Sequence, residues 1–367
     1  MGKHLVLVGG GHAHLATLLE LDRFVRRGHR VTLVSPSPWH YYSGMGPGLL
    51  AGRYQPAETR FCVSQLAEER GGTFIQDHAA LVNPCQRIIR LASGAELSYD
   101  IASFNIGSEV PLASDLPAVE TIVPVKPISG LAEAGQYLLR EAAGRQLQLV
   151  VLGGGPAGVE IAGNLQALLA DQPQPASITL VAGEALLPAA PARVGQLARA
   201  SLEARGIRIL TGVRGEARPA GRVLLSDGTN LAADVTFVAV GVRPPTLFAA
   251  SGLPVGTDGG LLVNDCLQST AWPELFAGGD CLSLSSAPLA KVGVYAVRQG
   301  AVLRQNLLAA LEGRPLKRFT AGGAYLLILN LGDGTGIAWK RSLVWHGRLA
   351  LQLKEFIDRR FMARYQG

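Results

Sequence analysis

The sequence predicts an α/β fold of two three-layer units, the second inserted in the first, followed by a small α+β segment. Three observations carry this expectation. An apolar run at residues 5–8 stops at Gly9-Gly10-Gly11, and one at residues 147–152 stops at Gly153-Gly154-Gly155. Each glycine turn leads into a helical apolar pattern and then a further apolar run, at 31–34 and 178–181, so a strand–turn–helix–strand order occurs twice. Well after the second unit, Leu275-Phe276-Ala277 ends on Gly278-Gly279-Asp280, as if the chain returns to the first unit. Continuous apolar runs suit strands buried on both faces of a parallel sheet. With a glycine turn between strand and helix they describe Rossmann-like, dinucleotide-binding domains.

In the first unit the helical pattern runs through Leu15, Leu18, Leu19 and Phe24. Gly9 makes the turn, and Gly11 lets a pyrophosphate approach the backbone amides at the helix start. The third glycine position holds His14, so the helix is expected to stand off the strand or tilt. The second strand ends in Ser35-Pro36 where an acidic residue normally grips a ribose, which leaves a single serine hydrogen bond.

The second loop satisfies the full glycine pattern with Gly153, Gly155 and Gly158, with Pro156 inside it and Glu160 just beyond. A helix follows at 159–169. Glu184 lies one or two places past the usual ribose-binding position, and no arginine sits near it before Arg193, which favours NADH over NADPH. A meander around Asp227-Gly228, an apolar strand at 235–240 ending at Gly241, and a helix at about 294–311 complete the two units. The expected domains are 1–110 with 243–320, 111–242, and a C-terminal hairpin and amphipathic helix at 321–367.

Composition narrows the class. Of 367 residues 48% are apolar and 17% charged, enough to build sizeable cores and unlike a disordered chain. The net charge of +6 suits anionic cofactors or an anionic surface, while the lack of basic runs interleaved with aromatics argues against nucleic acid. Cys62, Cys85, Cys266 and Cys281 form neither a CxxC pair nor a zinc spacing, which points to reduced thiols in a cytoplasm. The N-terminus reads without a signal peptide, and no apolar stretch approaches the roughly 20 residues of a spanning helix.

Five motifs in order carry a resemblance: the first loop, Asn105-Ile106-Gly107-Ser108, the second loop, the run 237–241, and the run 275–280. Together they resemble the pyridine nucleotide-disulfide oxidoreductase superfamily, which includes glutathione reductase, type II NADH dehydrogenase and sulfide:quinone oxidoreductase. The runs 42–52, 123–128 and 357–362, with His12 and His14, are most similar to the NADH dehydrogenase-like flavoprotein often fused to selenophosphate synthetase. The resemblance implies FAD at Gly9, Gly11, His12, Ala13, Ser35, Pro36, His40, Ser43, Gly44, Gly107, Ser108, Gly279, Asp280, Val292 and Gly293, with Asp280 on the ribityl chain. It implies NADH or NADPH at Gly153, Gly155, Pro156, Gly158, Glu160, Glu184 and Gly241.

The same resemblance places the catalytic cysteine of related enzymes where this chain has Gly44, and their quinone-binding glutamines near Val294 and Arg298. Disulfide reduction is therefore not expected, and quinone reduction loses its usual side chains. Lys126, within Pro124-Val125-Lys126-Pro127, and Lys291, ahead of the 294–311 helix, are the catalytic candidates beside the flavin. His40 is expected to pack along FAD. Cys266 and Cys281 read as core residues. The expected activity is an FAD-dependent NAD(P)H dehydrogenase with an unidentified acceptor, a quinone among the candidates. The alternatives are a sulfide- or selenide-handling flavoenzyme and a flavin redox sensor. On the last helix, Leu349, Leu353, Phe356, Ile357 and Phe361 share one face among Lys354, Arg359, Arg360 and Arg364. That pattern suits covering the FAD domain, a homodimer contact, or a peripheral hold on the inner face of a membrane.

Overall fold

The structure, a computed structural model, describes residues 2–112 and 121–366. In chain order the first part contributes β1 (His4–Val8), α1 (His12–Leu19), β2 (Arg30–Ser35), α2 (Gly46–Leu50), β3 (Thr73–Gln76) and β4 (Ile101–Phe104). There follow β5 (Ile122–Pro124), α3 (Ser129–Ala142), β6 (Gln148–Leu152), α4 (Pro156–Leu169), β7 (Ser177–Val181), β8 (Arg208–Leu210) and β9 (Val235–Val238). The chain then adds β10 (Leu275–Ala277), α5 (Gly293–Leu311), β11 (Leu327–Asn330), β12 (Gly336–Lys340), β13 (Leu343–Gly347) and α6 (Arg348–Met362).

Two five-stranded sheets result, β10-β4-β1-β2-β3 and β5-β9-β6-β7-β8, with every pairing parallel. Strand β1, fully buried, and β6, buried beyond Gln148, lie third in each order, with their glycine turns at the carboxyl ends. The turns are fastened alike: Gly9 N–H donates to Val34 O at 2.7 Å and Gly153 N–H to Val181 O at 2.8 Å. Each sheet has its own apolar core, one around Leu5, Phe104 and Leu303, the other around Val151, Leu165 and Phe237. Two of the chain's crossings between them run side by side where Glu109 and Arg243 exchange backbone hydrogen bonds of 2.8 and 2.9 Å. Residues 113–120, at the start of the 111–242 segment, lie outside the described residues.

Several elements differ from the sequence reading. The first helical pattern is two helices, α1 and Leu21–Val25, because Glu20 breaks the backbone at φ −117°. The meander is a three-stranded antiparallel sheet of Gly215–Arg218, Arg222–Leu225 and Asn230–Ala232. A second such sheet, Ala79–Asn83, Ile88–Leu91 and Glu96–Ser98, has no counterpart in that reading; its strands are short and only partly buried.

The C-terminal segment straddles both units. β11–β13 form an antiparallel sheet whose Leu329, Ile337 and Trp339 join the second core, whereas Met362 and Tyr365 join the first. The helix α6 is turned relative to the expected face. Leu349, Phe356 and Ile357 are 77%, 61% and 41% exposed, and Leu351, Asp358 and Met362 face inward. Its orientation is set by charge. The Lys354 ammonium donates to Gly44 O at 2.6 Å and to Asp358 at 2.7 Å, and the Tyr42 hydroxyl donates to Asp358 at 3.1 Å. A buried ion pair needs such added hydrogen bonds to offset its desolvation. No helix among the described residues is long and apolar enough to cross a membrane.

Candidate functional site

The first glycine loop closes on Asn105, at the end of β4. Its Oδ1 accepts the Ala13 N–H at 2.8 Å and its Nδ2 donates to Gly278 O at 2.6 Å. The amide thus ties the start of α1 to the Gly278-Gly279-Asp280 turn. The space around it tolerates only glycine. A Cβ at Gly9 would lie 2.4 Å from Asn105 O, one at Gly11 2.4 Å from Asn105 Oδ1, and one at Gly279 2.3 Å from Asn105 Nδ2. Gly9, Gly107 and Gly279 also hold φ near +88°, +72° and +75°, where a side chain is strained. Gly279 N–H donates to Gln299 Oε1 at 2.6 Å, which adds α5 to the assembly. Asn105 and Gln299 were not among the predicted site residues, although Asn105 opens the Asn105-Ile106-Gly107-Ser108 motif.

His14 is fully buried at the third loop position. Its Nδ1–H donates to Gly9 O at 2.6 Å, so Nε2 accepts from the Ser103 hydroxyl at 2.8 Å. Burial holds its pKa down to about 4, and the ring is the neutral tautomer that both bonds require. The second loop shows what the ring replaces: a Cβ at Gly158 would lie 1.8 Å from Gly153 O. At α1 the gap is filled by imidazole, and close approach occurs instead against α5, where a Cβ at Gly300 would come within 3.2 Å of Ala13 O.

Asp280 follows Gly279 in a short 3-10 turn. Lys126, on the segment leaving β5, donates to Asp280 Oδ2 and to Ser108 Oγ, both at 2.8 Å, and Ser108 donates to the same carboxylate oxygen at 2.7 Å. The structure therefore brings together Gly107, Ser108, Lys126, Gly279 and Asp280 from both units. His12 and His40 adjoin this group. Their Nδ1 and Nε2 are 3.2 Å apart, and the nearby Lys126 charge adds to burial in lowering both pKa values, that of His12 to about 4. The His12 Nε2 is buried without a partner. The imidazole lies 5.6 Å from Phe361, nearly parallel, and Tyr42 stacks on Phe361 at 4.6 Å. Phe361 belongs to α6, so the C-terminal helix covers the first loop.

The remaining predicted positions divide. Ser35 is buried at the end of β2, with Pro36 beside it. Ser43 and Gly44 form a 3-10 turn in which a Gly44 Cβ would lie 2.9 Å from the Tyr42 ring. Val292 caps α5 and Gly293 begins it, with α5 in contact with the Asp280 turn. The Lys291 ammonium donates to Leu282 O at 2.5 Å and pairs with Asp258 at 2.7 Å.

In the second loop, Gly155 caps α4 and Pro156 takes the first helical position, where its missing N–H costs nothing. Gly153 holds φ +117°, and a Cβ there would strike Ala239 O at 2.2 Å. Gly241 holds φ +102° three residues beyond β9, and Glu184 is exposed three residues beyond β7. Glu160 lies on α4, four residues past Pro156. Its carboxylate accepts the Asn330 N–H at 2.8 Å, which fastens β11 to α4. Burial, opposed by nearby Lys354, pushes its pKa up to about 7. Glu160, Lys354, Asp358 and Tyr42 thus form a polar junction between the two units and α6.

The Cys281 thiol, at the end of the Asp280 turn, points into the core, where it donates to Gly278 O at 3.3 Å and Phe104 O at 3.5 Å. Cys281 is buried, and desolvation pushes its pKa up to about 12. No group of three metal-ligating side chains occurs among the described residues. The residues fit a flavin dinucleotide: a cradle that a Cβ would fill, a helix start, the Asp280 carboxylate and an orphaned imidazole nitrogen.

Comparison with known proteins agrees with this geometry. The type II NADH:quinone oxidoreductase of Haemophilus influenzae is 26% identical, covering 95% of this chain and 90% of that protein. A sulfide:quinone oxidoreductase from Aquifex aeolicus superposes with a TM-score of 0.82 at 17% identity, covering 100% of this chain and 92% of the other. NDH2 from Plasmodium falciparum, in complex with NADH, gives 0.82 at 15% identity over 99% and 96%. The profile described as pyridine nucleotide-disulphide oxidoreductase matches residues 3–300. The chain belongs to the pyridine nucleotide-disulphide oxidoreductase family, and it is an oxidoreductase that uses FAD with NAD(P)H.

Proposed function

We propose that the protein is an FAD-dependent NAD(P)H dehydrogenase that passes electrons from flavin directly to a separate acceptor, without a redox disulfide, and that the acceptor is a quinone. The observation that carries the reading is the pairing of two glycine cradles with a Gly44 turn and buried Cys281 where a thiol would have to act. When bound, the two nucleotides supply hydride donor and acceptor, and the protein supplies orientation and electrostatics.

Gly9, Gly11, His12, Ala13, Ser35, Pro36, His40, Ser43, Gly44, Gly107, Ser108, Gly279, Asp280, Val292 and Gly293 would hold FAD. Gly153, Gly155, Pro156, Gly158, Glu184 and Gly241 would hold the nicotinamide nucleotide, with NADH preferred. Lys126 and Ser108 hold the Asp280 carboxylate in place, and the start of α5 presents its positive end beside that turn. Phe361 and Tyr42 stack on each other beside His12 at the first loop. Hydride transfer itself needs no protein acid or base.

The quinone reading is supported by the named activity of the Haemophilus relative. A sulfide- or selenide-handling role would need a reactive thiolate, which the pKa of Cys281 opposes. The exposed Leu349, Phe356 and Ile357, flanked by exposed Arg360 and Arg364, favour peripheral contact with an anionic membrane over a buried homodimer seam. The test is anaerobic reduction by NADH followed by a water-soluble quinone. Reoxidation by the quinone, and not by a disulfide, supports the reading. A reduced protein that only a disulfide reoxidises contradicts it.

A further inference from the structure

The pair His12 and His40 has a part that the glycine cradle does not assign. His12 is the first residue of the eight-residue helix α1, directly after Gly11. One of its ring nitrogens, Nδ1, faces His40 Nε2 at 3.2 Å; the other, Nε2, is buried with no partner among the described residues. A buried polar atom without a partner is rare in a folded protein and needs a reason. The surroundings define the missing partner. Phe361 and Tyr42 pack on one side of the ring, and Lys126, while paired with Asp280, stands close enough for its charge to act on both histidines. Among the described residues no carboxylate is hydrogen-bonded to either imidazole, and the helix start adds its own partial positive charge. An anion with an acceptor oxygen completes that environment.

We infer that His12 Nε2–H donates to a pyrophosphate oxygen of the flavin dinucleotide, and that His40 is a positioning residue that fixes the His12 tautomer. The logic is that of any imidazole with two roles: the bond made by one nitrogen decides whether the other carries the proton. With His40 Nε2–H donating into His12 Nδ1, the proton of neutral His12 must sit on Nε2. Reversing that bond would aim a lone pair at the anion and repel it. The first loop thus gains an imidazole donor, and His14, two residues on, holds the loop from behind through Gly9 O. The inference rests on the FAD reading above and names two side chains within it.

Equilibrium FAD binding to the deflavinated full-length chain, followed by quenching of flavin fluorescence, tests it. His12→Phe keeps the stack with Phe361 and removes the donor, and is expected to weaken FAD about tenfold or more, as for loss of a hydrogen bond to a charged group. His12→Gln keeps a donor at similar reach and should recover most of that loss. His40→Phe should weaken FAD several-fold alone, and add nothing in the His12→Phe background, because it acts only through His12. In the native holoprotein, nitrogen NMR of labelled histidine should show His12 protonated on Nε2. His12→Phe within twofold of the native chain, His12→Gln as weak as His12→Phe, or a His12 protonated on Nδ1 would each overturn the inference. A native chain that binds no FAD would instead remove the reading beneath it.

Discussion

Asn105 shows how much a single side chain can hold. Its amide serves Ala13 N–H and Gly278 O, both buried. Asn105→Ala leaves both unpaired and should cost about 2–4 kcal/mol of stability in denaturant unfolding, together with loss of bound flavin. His14 and Glu160 give opposite pH signatures. The folded-state pKa of His14 lies near 4, below its ordinary value of 6.5, so its share of stability is complete above 6.5 and is lost as pH falls toward 4. The pKa of Glu160 is raised from 4.5 to about 7, so stability falls as pH rises across that window. Urea midpoints across pH 4–7.5 should therefore decline less steeply toward acid in His14→Gln, and should lose the decline toward neutrality in Glu160→Gln. Unchanged pH profiles would contradict both assignments. Glycine positions were legible in the sequence because only glycine fits a left-handed turn against a carbonyl. Asn105 and Gln299 were not, because a buried amide's bonds depend on segments brought together from over 170 residues apart in the case of Asn105 and Gly278.

At the scale of elements, strands β1, β2, β6 and β7 and helices α4 and α5 follow from apolar runs and glycine stops, which act locally. The facing of α6 does not. Its apolar pattern is real, yet Leu349, Phe356 and Ile357 point outward because Lys354 and Asp358 find partners in Gly44 and Tyr42 beneath the helix. A pattern shows that a face is apolar and does not show which face meets the protein. The outward strip gives a clean test, since its side chains are exposed and substitution should move stability by less than about 0.5 kcal/mol. Phe356→Glu with Ile357→Glu should abolish co-sedimentation with anionic lipid vesicles at low salt while leaving flavin content intact. Co-sedimentation equal to that of the native chain would sink the membrane contact.

At the scale of the molecule, two five-stranded parallel sheets each carry a glycine cradle at the carboxyl end of their central strand, and Lys126 reaches from the second unit to Asp280 of the first. Lys126→Met leaves Asp280 without its cation and should slow flavin reduction by NADH about tenfold or more, with little change in NADH affinity; an unchanged rate would reduce Lys126 to a surface link. The inserted order was legible because Gly278-Gly279-Asp280 lies beyond the second unit. The straddling C-terminal segment was not, since its anchors Glu160 and Asn330 carry no shared pattern. The central claim is that hydride enters at the second cradle and reaches the flavin of the first without a thiol. Anaerobic mixing of the flavin-bound protein with NADH tests it most directly. The flavin absorbance should bleach, and should do so equally when all four cysteines are replaced by serine or alanine. Absorbance that neither NADH nor NADPH bleaches, or bleaching that disappears with the cysteines, would contradict it.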